Sequence, residues 1–192
     1  MTAKSPGRPR SERAQNAILA SAYELLEEGG LTKVTMEAVA TRAKVGKPTI
    51  YRYWINAQEL AMAAVMARTE PPVEETLSQS PLKNLKDQLQ RVVERFASPT
   101  GRQTAILMAS ADTDSELSKA FRNQVILKSR EQGRAILERA AKESLIPIDL
   151  PIETVLDMIY GPIFYRLLTG HAPLHDTFAN EIVDALFSNT IK

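Results

Sequence analysis

Thr35-Met36-Glu37-Ala38-Val39-Ala40-Thr41-Arg42-Ala43-Lys44-Val45-Gly46-Lys47-Pro48-Thr49-Ile50-Tyr51-Arg52-Tyr53-Trp54 reads as two short helices joined by a three-residue turn. Thr35 is a good N-cap, because its hydroxyl accepts from the unpaired amides of a first turn. Met36, Val39, Ala40 and Ala43 form the inward face of the first helix. Lys44-Val45-Gly46 is the break, with a glycine in the turn. Pro48 suits the first turn of the second helix, where a missing N–H costs nothing. Two short helices with such a turn are the signature of a helix-turn-helix, whose second helix lies in the major groove of duplex DNA.

The residue types suit that chemistry. Lys47 stands at the entrance to the second helix. Thr49 offers a hydroxyl and a methyl for a base edge or a thymine methyl. Tyr51 and Tyr53 carry hydroxyls able to reach phosphates, and Arg52 adds a cation. Thr35 combines a hydroxyl with a helix N-terminus, a favourable place for a phosphate oxygen. Arg42 and Lys44 add charge nearby. Ile50 and Trp54, four apart, read as core. Tyr51 and Tyr53 cannot share one face, so one packs inward and the other faces out.

Working outward, helical periods dominate and no long run alternates apolar with polar residues, so the fold class is all-α. Upstream, Ser11 reads as the cap of a helix with Ile18, Ala22 and Leu25 on one face, stopped by Gly29-Gly30. Downstream, a fourth helix covers 57–69 and ends at Glu70-Pro71-Pro72. Ser80-Pro81 opens a helix whose Leu82, Leu85, Leu89, Val92 and Phe96 keep the period. A short helix over 103–111 and a long one over 115–143 follow. The helix over 152–169 is apolar on nearly all sides, which predicts burial on all sides, and Pro162 should kink it or end a run of its hydrogen bonds. The last helix covers 176–187.

Charge is uneven. Residues 1–54 hold nine of the 24 Lys/Arg and five of the 23 Asp/Glu, so a basic quarter sits on an acidic body although the total is only +1. That asymmetry suits one end meeting a polyanion. The absence of cysteine excludes disulfides and thiolate metal sites and agrees with a cytoplasmic location. No apolar tract is long enough for a bilayer. His171 and His175 are separated by Pro173 and read as loop residues rather than a metal pair. No nucleophile elbow or phosphate-binding glycine loop is present, so no enzyme, cofactor or metal is expected.

The segment from Thr35 to Trp54, with Ile18-Leu19, Ala22, Leu25-Leu26 and Gly29-Gly30 upstream, closely resembles the DNA-binding domain of the TetR family of bacterial regulators. The resemblance covers roughly residues 11–66. It implies an all-helical homodimer of about nine helices: three in the DNA head, a fourth as link, and the last two at the dimer interface. It divides the chain into a flexible basic arm (1–10), a helix-turn-helix domain (11–56) and a ligand-binding and dimerisation domain (57–192). It places DNA contacts on Thr35, Lys47, Pro48, Thr49, Tyr51 and Tyr53. One departure is Ala57, where the family often has a phosphate-contacting lysine; Arg42, Lys44 or Arg52 would have to compensate. Arg8 and Arg10 would lie in the minor groove or contact phosphates nonspecifically.

The body is less informative. Tyr160-Gly161-Pro162-Ile163-Phe164-Tyr165-Arg166-Leu167-Leu168-Thr169-Gly170 resembles one subgroup of the family's C-terminal domains without naming a ligand. Met108, Phe121, Met158, Tyr160 and Tyr165 are candidates for the wall of a pocket for a small, largely apolar effector. Ile159, Ile163, Leu167, Phe178, Ile182 and Leu186 are candidates for the dimer interface. The expected function is a repressor released from a palindromic operator by a small molecule. The alternatives are an activator or a ligand-independent regulator, and, from another class, a helical carrier or enzyme that happens to contain a helix-turn-helix shape. The basic charge around 42–52 argues against the last, since a carrier has no need of it.

Overall fold

Caps and glycines punctuate this chain into helices, and a computed structural model describes them over residues 8–69, 80–111, 114–143 and 150–187, with the backbone alone for 8–10 and 125. The order is α1 Arg8–Gly29, a 3-10 turn Leu31–Lys33, α2 Met36–Ala43, α3 Lys47–Tyr51, α4 Ala57–Arg68, α5 Pro81–Ala97, α6 Pro99–Ser110, α7 Glu116–Arg122, a π-helical stretch Asn123–Leu127, α8 Lys128–Lys142, α9 Ile152–Thr169 and α10 Phe178–Phe187. No strand occurs among the described residues. The all-α expectation holds, and α7, the π stretch and α8 run on as the long helix expected over 115–143.

Side-chain caps set most of the starts. Thr35 Oγ1 accepts from Ala38 N at 3.1 Å and Asn56 Oδ1 from Glu59 N at 2.8 Å. Ser80, Ser98 and Ser115 cap α5, α6 and α7 in the same way. Two helix starts differ most from the expectation. The first helix begins at Arg8, so Ser11 lies inside it and caps nothing; residues 1–7 of the expected arm, and the side chains of Arg8 and Arg10, lie outside the described residues. Helix α6 starts at Pro99, because the Ser98 hydroxyl caps it one residue after α5 ends. In the α2–α3 turn Lys44, not Gly46, takes the left-handed backbone (φ 54°), while Gly46 is extended at φ −75°.

Helix α1 packs against α2 and α4, and α4 also touches α6 and α7, so it belongs to head and body at once. Its Leu60, Ala61, Met62, Ala64 and Val65 are all buried. In the body α5 packs on α6, α8 and α10, and α9 on α6 and α8. One hydrophobic cluster runs from Ile18 in the head through α4 to Phe187.

Helix α9 corrects a prediction. It is not buried on all sides: Met158, Tyr165 and Leu168 are exposed, while Val155, Leu156, Ile159, Tyr160, Ile163 and Leu167 face the protomer's own core. Thr154, Met158, Gly161, Tyr165 and Leu168, spaced alternately four and three, form an outward stripe. No helix among the described residues is long and apolar enough to cross a membrane.

Candidate nucleic-acid interface and effector cavity

The recognition element is short, so its neighbours must hold it. Ile50 is wholly buried and Trp54 nearly so; they pin α3 to the head, as their spacing predicts. The turn closes by Val45 N donating to Ala40 O at 3.0 Å. What α3 then presents outward is Lys47, Pro48, Tyr51 and Arg52, with Thr49 half-buried beside them. Tyr51 is 55% exposed, an unusual setting for a tyrosine without a partner surface. Thr35 is exposed at the start of α2, where its hydroxyl oxygen caps the helix and its proton remains available to an outside acceptor.

Tyr53 takes the inward role. Its hydroxyl hydrogen-bonds Ser11 Oγ on α1 and accepts from Arg52 Nη2 at 3.3 Å, while its ring lies 5.4 Å from that of Trp54. The Ser11 bond is the largest influence and, together with the Arg52 guanidinium, holds its phenol below the usual tyrosine range against the opposing effect of burial. Arg42 is tied down as well. Its guanidinium forks onto Glu28 of α1 at 2.6 and 2.8 Å, which lowers the Glu28 carboxyl and raises Arg42. Lys47 Nζ lies 3.1 Å from Glu37, linking α3 to α2. A phosphate would have to compete with these carboxylates. Lys44 and Arg52 are exposed as well. Sequence reading missed the Ser11–Tyr53 and Arg42–Glu28 ties, because their partners lie 42 and 14 residues apart and no motif announces them.

The body holds a cavity of about 370 Å³ between α5, α8 and α9. Val92, Phe96, Ile126 and Phe164 give it an apolar wall, and Ser129, Arg130, Asp157, Tyr160 and Gly161 complete the lining. The π stretch contributes Ile126, in keeping with the frequent placement of such irregularities at functional sites. Tyr160 is fixed: its hydroxyl donates to Gln88 Oε1 at 2.9 Å and shares the Ser129 carbonyl at 2.7 Å. Burial raises its phenol well above an ordinary tyrosine, outweighing the Gln88 bond and the Arg130 charge. Arg130 bonds Glu153 Oε2 at 2.8 Å, the Glu153 carbonyl at 3.1 Å and Asp157 at 2.8 Å.

Of the five side chains expected around a pocket, Tyr160 alone lines this cavity. Phe121 is buried in core packing, Met108 is half-buried, and Met158 and Tyr165 point outward. The interface candidates need the converse correction. Ile159 and Ile163 are completely buried, and Leu167, Phe178 and Ile182 nearly so, inside one protomer; Leu186 is half-buried. No wholly polar face marks the outside of α9, so periodicity alone does not separate its inward residues from its outward ones. His171 and His175 bond Thr169 and Thr177 in their own loop, and no cluster of three potential metal ligands occurs among the described residues.

A capped helix, a tight turn and a second helix with polar outward residues, mounted on an all-helical body, define a helix-turn-helix DNA-binding regulator. Comparison with known proteins narrows this. Residues 18–64 match the model of bacterial regulatory proteins of the tetR family, and residues 78–186 that of the tetracyclin repressor-like C-terminal domain. The HTH-type transcriptional regulator YdeS of Bacillus subtilis (strain 168) is 33% identical, over 92% of this chain and 89% of its own. The DNA-binding transcriptional repressor TetR of Mycobacteroides abscessus is 29% identical, over 91% of this chain and 92% of its own. The crystal structure of the TetR family regulator SCO0332 superposes with a TM-score of 0.64 at 25% identity, covering 94% of this chain and all of that one. The chain belongs to the TetR family of DNA-binding transcriptional regulators, and it is a regulator rather than an enzyme.

Proposed function

We propose that the protein is a homodimeric repressor that holds an inverted-repeat duplex through two copies of α2–α3 and leaves it when a small molecule enters the α5–α8–α9 cavity. The observation that carries the reading is the division of labour on α3. Ile50 and Trp54 lock the helix to the head, while Lys47, Pro48 and Tyr51 are left facing out with Thr49 half-buried beside them. Side chains held on a rigid element and directed outward are what direct readout of base edges requires. A two-fold dimer would set two such elements about 34–36 Å apart, one turn of B-DNA. The outward stripe of α9 supports pairing, since Met158, Tyr165 and Leu168 are large apolar groups left exposed in the single chain.

Helix α4 supports coupling. It packs on α1 in the head and on α6 and α7 in the body, and Gln124 Nε2 of the π stretch donates to Met66 O at 3.0 Å. A ligand that prefers one arrangement of the body biases the head by its differential affinity, usually about 1–3 kcal/mol. A regulator of bacterial DNA works where that DNA is, in the cytoplasm. The name of the Mycobacteroides abscessus relative favours repression over activation.

The test is selection of bound duplexes from a random library at near-physiological salt with purified protein. A two-fold symmetric consensus supports the reading; no enrichment from folded dimer would sink the role given to residues 35–54.

A further inference from the structure

The cavity has a charged end that an apolar ligand would not need. Arg130 sits at its rim, only 20% exposed, and Asp157 beside it is 73% exposed. The two carboxylates holding Arg130 are unequal. Glu153 fixes the guanidinium twice, through its side chain and its carbonyl, and also bonds Arg134. Asp157 holds it once, from the solvent side, and its own carboxylate is largely solvated, so this is the weaker of the two ties. Removing Asp157 would leave Arg130 aimed and anchored, with one face open beside an apolar hollow. A guanidinium fork is matched to a carboxylate.

Resting on the reading of this cavity as the effector site, we propose that it takes a small amphipathic carboxylic acid, whose apolar part lies among Val92, Phe96, Ile126 and Phe164 and whose carboxylate replaces Asp157 on Arg130. Asp157 is then an internal stand-in for the ligand's charge. The volume is at the small end of the ~300–1,000 Å³ usual for such sites, which favours a compact acid over a large conjugate. Gly161 completes the lining without a side chain, which leaves room beside Phe164.

The test is calorimetric titration of the full chain with decanoate, with decyltrimethylammonium and 1-decanol for comparison. Decanoate should bind at least tenfold more tightly than either. Asp157→Asn should tighten decanoate several-fold, Arg130→Gln should weaken it tenfold or more, and Ile126→Trp, on the apolar wall and away from the α9 stripe, should block it. Asp157 is exposed, so its variant keeps the test informative if Arg130→Gln fails to fold. Failure of decanoate to bind, preference for the cation, or weaker decanoate binding by Asp157→Asn would each overturn the proposal. A parallel measurement of DNA release separates the two readings. The predicted binding pattern without release supports the acid site and sinks the effector role. Release by the cation or the alcohol, abolished by Ile126→Trp, keeps the effector role and overturns the acid.

Discussion

Tyr51 and Tyr53 stand two residues apart and do different work. Tyr51 is exposed at the outer face of α3, and Tyr53 is bonded back to Ser11. Tyr51→Phe and Thr49→Ala should each weaken binding to the selected duplex by about 1–3 kcal/mol, the range for a hydrogen bond to a base edge or a charged group, with unchanged thermal stability. Wild-type affinity in both variants would displace the recognition surface from α3. Lys44 carries backbone strain at φ 54°. A non-glycine residue there costs about 1–2 kcal/mol, and glycine returns about 0.4–1 kcal/mol of that through the unfolded chain. Lys44→Gly should therefore stabilise the protein by about 0.5–1 kcal/mol, a rise of about 2 °C in melting temperature. The same change removes an exposed cation, so its DNA affinity should fall as its stability rises; a lower melting temperature would refute the strain. At Tyr160 the phenol is raised in the fold, so the unfolded chain loses its proton first. That residue's stabilisation is whole below pH ~10 and erodes above it, by up to about 1.4 kcal/mol per pH unit. Tyr160→Phe should be less stable at neutral pH yet lose less between pH 10 and 11 in denaturant titrations. Parallel decline of both proteins would contradict this.

At the scale of elements, legibility followed the physics of each signal. Some helix starts are readable from a capping hydroxyl, as at Thr35, Ser80 and Ser115, because a cap acts within four residues of itself; Ser98 caps α6 equally well but is hidden by the end of α5 one residue before. Ser11 has the same chemistry but lies inside α1, since its hydroxyl is bonded to Tyr53 instead. The reading head was legible because its chemistry is contiguous. The cavity was not. Arg130 and Glu153 meet 23 residues apart across two helices, and nothing in either sequence neighbourhood records the meeting. Face assignment on α9 failed for a related reason: periodicity finds an inside only by contrast with a polar outside, and this helix is apolar on both. Gly133 shows how tightly the α8–α9 contact is drawn. A methyl there would run into the Tyr160 hydroxyl and crowd Leu156 at 3.3 Å, so the helices approach where α8 has no side chain.

For the molecule as a whole, the outward stripe of α9 sets the expected assembly. Tyr165→Glu should convert the dimer to a monomer of nearly unchanged melting behaviour in the subunit, because Tyr165 is 63% exposed and makes no part of its core. Sedimentation equilibrium decides: a dimer that survives the charge would place the interface elsewhere. Two heads acting together also double the electrostatic footprint. Each phosphate that is no longer neutralised lowers the salt slope by about 0.9, so Lys44→Ala in both subunits should flatten the slope by about two if that lysine meets DNA.

Trp54 is the single tryptophan of the chain, and it is buried at the junction of α3 and α4, beside the Tyr53 ring. Excitation near the red edge of the absorption band therefore interrogates the reading head and nothing else. The tyrosine at the cavity, Tyr160, belongs to the body and is silent there. The protein thus carries its own optical label at the end whose movement matters. A change in Trp54 emission when a compound fills the distant hollow would be a direct signal of communication between the two ends, obtained without attaching a dye.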